Sequence, residues 1–351
     1  MSEINEEIIK SELNSNLFSM QKEKKVEWVE LCSREEEYWR QKSRELWLSE
    51  GDRNTKYFHV AANQRKENNV IFSIVHHNSG KIINEEAEIK KVGVNFFKDL
   101  LDPRNKDDSS DDQLGLFLDA IPNMISEKDN NRLMKPFTMG EIWEVVKSFL
   151  PNKALGPNGF TTLFFQKCWD VLGWELLLAL EVSRKTGSML KEFNATNVAI
   201  IPKIGDPQSF SDFRPISLCN TIYKIFTKAI YFRLKIILPN IISSEQGGFV
   251  PGRETSEGAI VAHETLHFIK DHQIPSFVIK LDIMKAYDTV NWFFLFKVLE
   301  KMSFRKKWCK WIKACVSRAH FSILINGSLE GYFQSSQGIR WEIHFLQHCS
   351  F

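Results

Sequence analysis

Long apolar runs are missing from this chain of 351 residues. No stretch approaches the roughly 20 apolar residues of a membrane-spanning helix, and the charged N-terminus lacks the apolar segment of a signal peptide. These absences exclude a membrane partner and predict an intracellular protein. They do not decide between nucleus and cytoplasm.

Zinc and disulfide patterns are missing as well. None of the six cysteines lies in a C-x-x-C pair, and their spacings fit no zinc motif, so they indicate reduced, buried thiols. A strong excess of one charge is also absent, because the formal net charge is only +2. Charge alone therefore does not identify a nucleic-acid-binding protein, and any such function depends on local clusters.

Several local patterns are present. Mixed charges and helically spaced apolar residues from 1 to about 70 predict long, solvent-exposed helices. Short apolar runs between 70 and 83 predict a β-hairpin, and the acidic stretch 102–113 predicts a solvated linker. Thr138 and Glu141 form a capping-box pattern at the start of a further helix.

Asp282 is the most informative single residue. It lies in segment 277–283, where apolar residues alternate with Lys280 and Asp282 and predict a short β-strand. An ionised carboxylate on an apolar strand is costly unless it is paired or binds a metal. Two-metal phosphoryl or nucleotidyl transfer needs more than one carboxylate, so we expect Asp282 to be one half of such a site.

Three cationic turns precede this segment. Lys203 ends an apolar strand over 198–203, Arg214 stands at a proline-restricted bend, and Arg253 ends a glycine-rich turn. Each of these is compatible with ordinary loop chemistry. Together with an aspartate on a strand, they favour a phosphate-binding cleft.

Residues 301–318 form a basic and aromatic segment whose apolar residues fall on one helical face. This pattern fits a core-packed amphipathic helix with a solvated basic face. It fits equally a helix that packs by its aromatic residues and meets nucleic-acid backbone by its lysines. The candidate contacts are Lys306, Lys307, Lys310 and Lys313.

These segments resemble the reverse transcriptases of non-LTR (LINE-type) retrotransposons, particularly those of plants. The resemblance rests on blocks in a fixed order and spacing, namely Asn152–Phe160, Ile201–Lys203, Phe213–Leu218, Gln246–Arg253, Lys280–Asp288 and Ser335–Arg340. Trp47–His59 resembles the stretch ahead of the polymerase domain. The resemblance implies RNA-directed DNA polymerase activity, with Mg²⁺, an RNA template, a DNA primer and dNTPs, and without a small-molecule cofactor.

The resemblance also assigns roles residue by residue. Asp282 matches the first metal-binding aspartate of the palm, and Tyr287 matches the aromatic residue that closes the sugar pocket. Lys203 and Arg214 match finger residues that meet the incoming triphosphate. We interpret Asp288 as structural, a cap for the following helix. The residues matching the template- and nucleotide-facing turn are Gln337, Gly338 and Arg340.

Two features depart from the family pattern. No aspartate follows Asp288, so the second catalytic block, an aromatic-x-Asp-Asp turn, is not found. After Arg340 the family continues Gln-Gly-Asp-Pro-Leu-Ser-Pro, whereas this chain continues Trp-Glu-Ile-His. One permitted codon choice for these last residues encodes Gly-Asp-Pro-Leu-Ser-Pro-Ala-Leu-Phe in a shifted frame. We therefore expect 341–351 to be an off-frame tail and the chain to be truncated.

The predicted fold is α+β, a right-hand reverse-transcriptase fold with fingers and an incomplete palm. Its predicted parts are a helical N-terminal extension with a hairpin (1–100), an acidic linker and connecting helix (101–137), fingers and partial palm (138–340), and the tail. The predicted function is that of an inactive reverse-transcriptase fragment, a pseudogene product of a transposable element. The alternatives are a non-catalytic RNA- or DNA-binding remnant and a reading frame that yields no stable protein.

Overall fold

The computed structural model describes residues 15–43, 55–76, 80–102, 111–151, 154–248, 250–283, 285–317 and 319–340. Two compact units divide the chain, Met1–Val70 and Ile71–Phe351. None of the helices in these described ranges is long and apolar enough to cross a membrane. The predicted tail and residues 47–54 of the N-terminal block lie outside the described residues.

The described residues of the first unit form two helices, α1 (Ser15–Ser43) and α2 (Thr55–Asn68). Most described side chains of α1 are exposed, and oppositely charged neighbours such as Lys24 and Glu27 pair along it at 2.7 Å. The ring of Trp39 on α1 lies 3.4 Å, centroid to centroid, from that of His59 on α2. Because α1 carries charges of both signs and little apolar area, most of its surface stays exposed.

The second unit begins with a hairpin. Its strands β1 (Ile74–Val75) and β2 (Ile82–Ile83) pair antiparallel, as the sequence predicts. Helix α3 (Glu86–Leu101) follows directly. The sequence groups this hairpin and helix with the N-terminal extension, whereas both lie in the compact unit that contains the main sheet.

A four-stranded sheet organises this unit. Its strands are β3 (Ala195–Pro202), β4 (Phe213–Cys219), β5 (His320–Ile325) and β6 (Ser328–Gln334), in the spatial order β4-β3-β5-β6. The outer pairs β3–β4 and β5–β6 are antiparallel, while β3 and β5 run parallel. The parallel pair therefore joins parts of the chain that are far apart in sequence.

Among the described residues, the other helices precede β3 in sequence or lie between β4 and β5. They are α4 (Asp111–Asp119), α5 (Glu127–Leu133), α6 (Met139–Lys147), α7 (Thr162–Lys167), α8 (Trp169–Thr186), α9 (Lys191–Asn194), α10 (Thr221–Leu234), α11 (Leu238–Ile241), α12 (Thr255–Asp271), α13 (Trp292–Lys301) and α14 (Lys306–Val316). A 3₁₀ turn, Phe210–Asp212, precedes β4. Because α4 begins at Asp111, the linker prediction is wrong for 111–113.

One apolar core lies between α3 and the sheet. Ile89 and Phe97 of α3 are buried together with sheet residues such as Ile323. The helix approaches closely at Gly93, where an added Cβ would lie 2.7 Å from the Ile325 side chain. Glycine at this helical position therefore permits the packing that its low helix propensity would otherwise disfavour.

A second core is helical and centres on α10 and α14. Trp308 and Trp311 of α14 are fully buried in it. Trp311 donates its indole N–H to the carbonyl of Arg184 (2.7 Å), and the buried Tyr223 donates its hydroxyl to the carbonyl of Cys315 (2.8 Å). These bonds satisfy polar atoms that large buried aromatic residues bring with them.

Thr138 caps α6 as predicted, and its hydroxyl accepts the N–H of Glu141 (3.2 Å). The Glu141 carboxylate does not turn back to complete the capping box. It accepts two bonds from Arg233 of α10, at 2.6 and 2.7 Å. Arg233 also donates to the carbonyls of Leu133 and Pro136, so one buried guanidinium joins three helices.

The strand predicted over 277–283 does not form, and that prediction is wrong. The segment is irregular, and Phe277 and Leu281 are each 85% exposed. A strand is stable only when its backbone groups find partners on a neighbouring strand. None of the described strands pairs with this segment, so its alternating pattern is left without a sheet to join.

Candidate functional site

Two turns that are distant in sequence meet at one joint. Ile339 donates its backbone N–H to the carbonyl of Tyr287 (2.7 Å), and Gly338 donates to that of Val290 (2.8 Å). The indole N–H of Trp292 donates to the carbonyl of Gly338 (2.7 Å). The structure thus brings together two of the blocks on which the family resemblance rests.

Gly338 is needed at this joint for two reasons. Its φ is +80°, a region that side chains other than glycine rarely adopt. An added Cβ would also lie 2.5 Å from the carbonyl oxygen of Asp288, a backbone atom that cannot move aside easily. Gly338 therefore allows the two turns to pack closely, because it has no side chain.

Gln337 faces the end of α3. Its side-chain N–H₂ donates to the carbonyl of Leu100 (2.9 Å), and the backbone N–H of Ser336 donates to that of Leu101 (3.0 Å). These carbonyls belong to the last turn of α3, where helix acceptors have no partner within the helix. The turn at Gln337 therefore supplies hydrogen-bond donors for the free carbonyls at the C-terminus of α3. A contact between Gln337 and nucleotide stays a prediction.

Asp288 and two lysines form a charged cluster beside the joint. Burial raises the pKa of Asp288 to about 6, although the charges of Lys285 and Lys203 oppose the rise. Burial, and then the nearby charge of Lys203, lowers the pKa of Lys285. The interpretation of Asp288 as a helix cap is wrong, because Asn291 caps α13 and accepts the N–H of Phe294 (3.1 Å).

Lys203 and Arg214 lie near the tip of the β3–β4 hairpin, and both side chains are exposed. Arg214 stands opposite Ile201 in the register. Lys203 continues from β3, where its N–H bonds the carbonyl of Asp212, and its ammonium donates to the carbonyl of Ser211 (2.8 Å). Exposed cations at a hairpin tip can bind an anionic ligand. Contact of Lys203 and Arg214 with a triphosphate stays a prediction.

Asp282 is exposed on the irregular segment 277–283. Over the described parts of the chain, no group of three or more His, Cys, Asp or Glu side chains is arranged to hold a metal ion. Mg²⁺ binds through several oxygen ligands in near-octahedral geometry, and Asp282 supplies one carboxylate. The described residues by themselves therefore do not fit a Mg²⁺ site.

Arg340 is 5% exposed, which contradicts the prediction that it faces nucleotide. Its guanidinium donates to Oδ1 of Asn194 (2.5 Å), to Oγ1 of Thr196 (2.9 Å) and to the carbonyl of Cys315. It also lies 3.8 Å from the ring centroid of Tyr223. Arg340 therefore ties α9, β3, α10 and α14 together from inside the fold.

Arg253 is half-buried, and its predicted contact with nucleic acid stays a prediction. Its guanidinium donates to backbone carbonyls of its own turn and of the residues just before it. The acceptors are the carbonyls of Pro239, Ile242, Ser243 and Gln246. A guanidinium has five N–H groups in a fixed fork, so four local carbonyls account for most of its donors.

The basic helix is amphipathic, as predicted. Trp308 and Trp311 on α14 face the helical core. The lysines on the opposite face are exposed, namely Lys306, Lys307, Lys310 and Lys313. The packing half of that prediction is confirmed, and the contact of these lysines with nucleic acid stays a prediction.

Two residues of the site are not found by sequence reasoning, Lys285 and Trp292. The sequence identifies the block Lys280–Asp288, which contains Lys285. It does not predict that the backbone of Lys285 has a φ of +56°. A lysine gives no signal for that conformation, which is uncommon outside glycine, asparagine and aspartate. Trp292 reads as an apolar helix residue, and its hydrogen bond to Gly338 depends on the fold.

Comparison with known proteins agrees with the motif order. Residues 201–340 match the family model described as reverse transcriptase (RNA-dependent DNA polymerase). Over 299 residues, 85% of this chain, the sequence is 29% identical to the Transposon TX1 uncharacterized 149 kDa protein of Xenopus laevis. The chain spans 22% of the length of that relative. These findings confirm the predicted resemblance to a non-LTR retrotransposon reverse transcriptase.

Proposed function

We propose that the second unit forms the fingers and part of the palm of a non-LTR retrotransposon reverse transcriptase. The proposed activity of the whole enzyme is copying of an RNA template from a DNA primer with dNTPs. The observation that carries this proposal is the joint between Tyr287 and Ile339, which lies inside the matched region 201–340 and unites two of its blocks.

The proposed roles are those that the resemblance to the family implies. Lys203 and Arg214 contact the triphosphate from the hairpin tip, and Tyr287 lies against the sugar. Asp282 would supply one carboxylate to a metal site, and that site would need further ligands beyond the described residues. Gln337 and Gly338 hold the template-facing turn against α3 and the Tyr287 turn.

We also propose that these 351 residues do not polymerise by themselves. Two-metal catalysis needs several carboxylates, and no aspartate follows Asp288 in this sequence. Segment 277–283 is irregular and exposes apolar side chains that a strand partner would cover. The missing carboxylates would have to come from residues outside these 351.

A primer-extension assay tests this proposal. The purified chain is mixed with an RNA template annealed to a labelled DNA primer, dNTPs and Mg²⁺, and both binding and extension are measured. We expect binding without extension. Extension that is lost in Asp282→Ala but kept in the exposed control Asp206→Ala would refute the proposed inactivity. Failure to bind the primer–template even at about 50 mM salt would refute the polymerase assignment.

A second candidate function, nucleic-acid binding without catalysis, is favoured by the exposed lysine face of α14. We expect that changing Lys306, Lys307 and Lys310 together to Glu lowers RNA affinity and reduces the slope of log affinity against log salt by about 3. The control triple variant reverses the exposed lysines of α1, Lys22, Lys24 and Lys25. Equal affinities in the two triple variants would argue against a role for α14.

A further inference from the structure

Helix α12 carries two histidines one turn apart, His263 and His267, in the run His-Glu-Thr-Leu-His. Every side chain of this helix from 256 to 268 is exposed, so both imidazoles are open to solvent. Residues four apart lie on one face of a helix, with about 5–6 Å between their Cβ atoms. At this spacing a helix can place two imidazoles on one metal ion.

The His267 ring is oriented by a carboxylate on the next turn. Its Nδ1 lies 2.9 Å from Oδ2 of Asp271. An ionised carboxylate only accepts hydrogen bonds, so Nδ1 is the donor and carries the proton. In neutral imidazole the lone pair is then on Nε2, which is left to bind a metal. Metal-binding histidines almost always have such an acceptor on their other ring nitrogen.

The charges near the pair also suit a cation. Within four residues of the two histidines along α12, the charged side chains are Glu264, Lys270 and Asp271. Two carboxylates therefore face one ammonium. Their net attraction for a bound cation is modest, because the helix is exposed and water and salt screen it.

The donor atoms decide which class of metal fits. Imidazole nitrogen suits Zn²⁺, Ni²⁺ and Cu²⁺, whereas Mg²⁺ prefers oxygen ligands. The cysteine spacings argue only against thiolate zinc motifs, and this site uses histidine. Within the described ranges no third His, Cys, Asp or Glu joins the pair to hold a metal, so water would fill the other positions. Zinc peptidases with the same run have a third protein ligand, so we infer no peptidase activity.

We propose that His263 and His267 bind a divalent transition-metal ion of the zinc class, with Asp271 as the positioning residue for His267. An ion held by both histidines joins two successive turns of α12. A helix of 17 residues that is so exposed gains little from packing, and a bound ion would stabilise its helical conformation. This inference does not depend on the proposed polymerase function, because it needs neither nucleic acid nor nucleotide.

Calorimetric titration of the purified chain with zinc chloride, nickel chloride and magnesium chloride tests the inference. We expect Zn²⁺ and Ni²⁺ to bind and a large excess of Mg²⁺ not to displace them. His263→Ala and His267→Ala should each weaken Zn²⁺ binding about tenfold or more. Asp271→Ala should weaken it about tenfold, and Asp271→Glu, which keeps a carboxylate, should restore most of the affinity. These side chains are exposed, so the variants should fold.

His272→Ala is the matched control. The Nδ1 of His272 also has an acceptor, the carbonyl of Phe268 at 2.9 Å, but no histidine stands four residues before or after it. Its replacement should leave Zn²⁺ affinity unchanged. A second control replaces His344 and His348 together, because these two are also four apart in sequence. The α12 site should persist in that double variant.

Hydrogen exchange of the same samples locates the ion. When free Zn²⁺ is about ten times its Kd, amide exchange in α12 should slow about tenfold, and this effect should vanish in His267→Ala. Zn²⁺ binding weaker than about 1 mM would overturn the inference. So would an affinity unchanged in His263→Ala and His267→Ala, or one lost only in the His344 and His348 double variant. Each of these results leaves the primer–template assay unaffected.

Discussion

Replacing Gly338 by alanine should be among the most damaging small changes in this protein. A side chain at its φ of +80° costs about 1–2 kcal/mol. The new Cβ would lie 2.5 Å from the Asp288 carbonyl, so the joint must open. Opening removes the two hydrogen bonds that Gly338 makes with Val290 and Trp292, worth about 0.5–1.5 kcal/mol each. The expected loss in free energy of unfolding is about 2–5 kcal/mol.

Gly252→Ala is the matched control for this loss. Gly252 has the same φ of +80°, but an added Cβ there would meet no atom within 4 Å. It should cost only the 1–2 kcal/mol of the backbone conformation. Urea unfolding followed by tryptophan fluorescence, to which the buried Trp308 and Trp311 of the second unit contribute, gives the two free energies. Equal losses in the two variants would refute the close packing inferred at the joint.

Two further predictions concern buried charge. Arg340→Ala should lower the free energy of unfolding by about 3–5 kcal/mol in the same urea assay, because Asn194 and Cys315 lose their donor and a cavity forms. A loss below about 1 kcal/mol would contradict the buried role. The pKa of Asp288 is about 6 in the fold against 3.8 as its ordinary value, so stability should fall as pH rises between about 4 and 6. Asp288→Asn should remove that fall and be more stable above pH 6 by up to about 3 kcal/mol.

Local signals in the sequence predict the local structure well. The spacing of Trp308 and Trp311 predicts which face of α14 is buried, because one helical turn already decides it. The Thr138 cap is similar, since its hydroxyl bonds an N–H three residues away. The partner of the Glu141 side chain is not predicted by the local sequence. Its carboxylate bonds Arg233 on another helix, and a nearby capping pattern gives no information on such a distant competitor.

Arginines in turns are where residue type alone says least about the contact partner. Arg340 and Arg253 both stand in glycine-containing turns, a setting that favours phosphate contacts. Carbonyl oxygens and phosphate oxygens are both acceptors for the same guanidinium fork, so residue type and turn composition fit either partner. The fold decides between them by placing backbone carbonyls around Arg253, and Asn194 and Thr196 beside Arg340.

Segment 277–283 shows the same limit for a strand. Alternation specifies which side chains share a face, but the hydrogen bonds that make a strand come from a partner elsewhere in the chain. Here β3 and β5 pair with each other, and β4 and β6 stand at the two edges of the sheet. Phe277, Leu281 and Ile283 consequently stay 73–85% exposed. A pattern suited to a buried strand, left this exposed, favours pairing with any available edge, and this is the physical reason to expect self-association of the isolated chain.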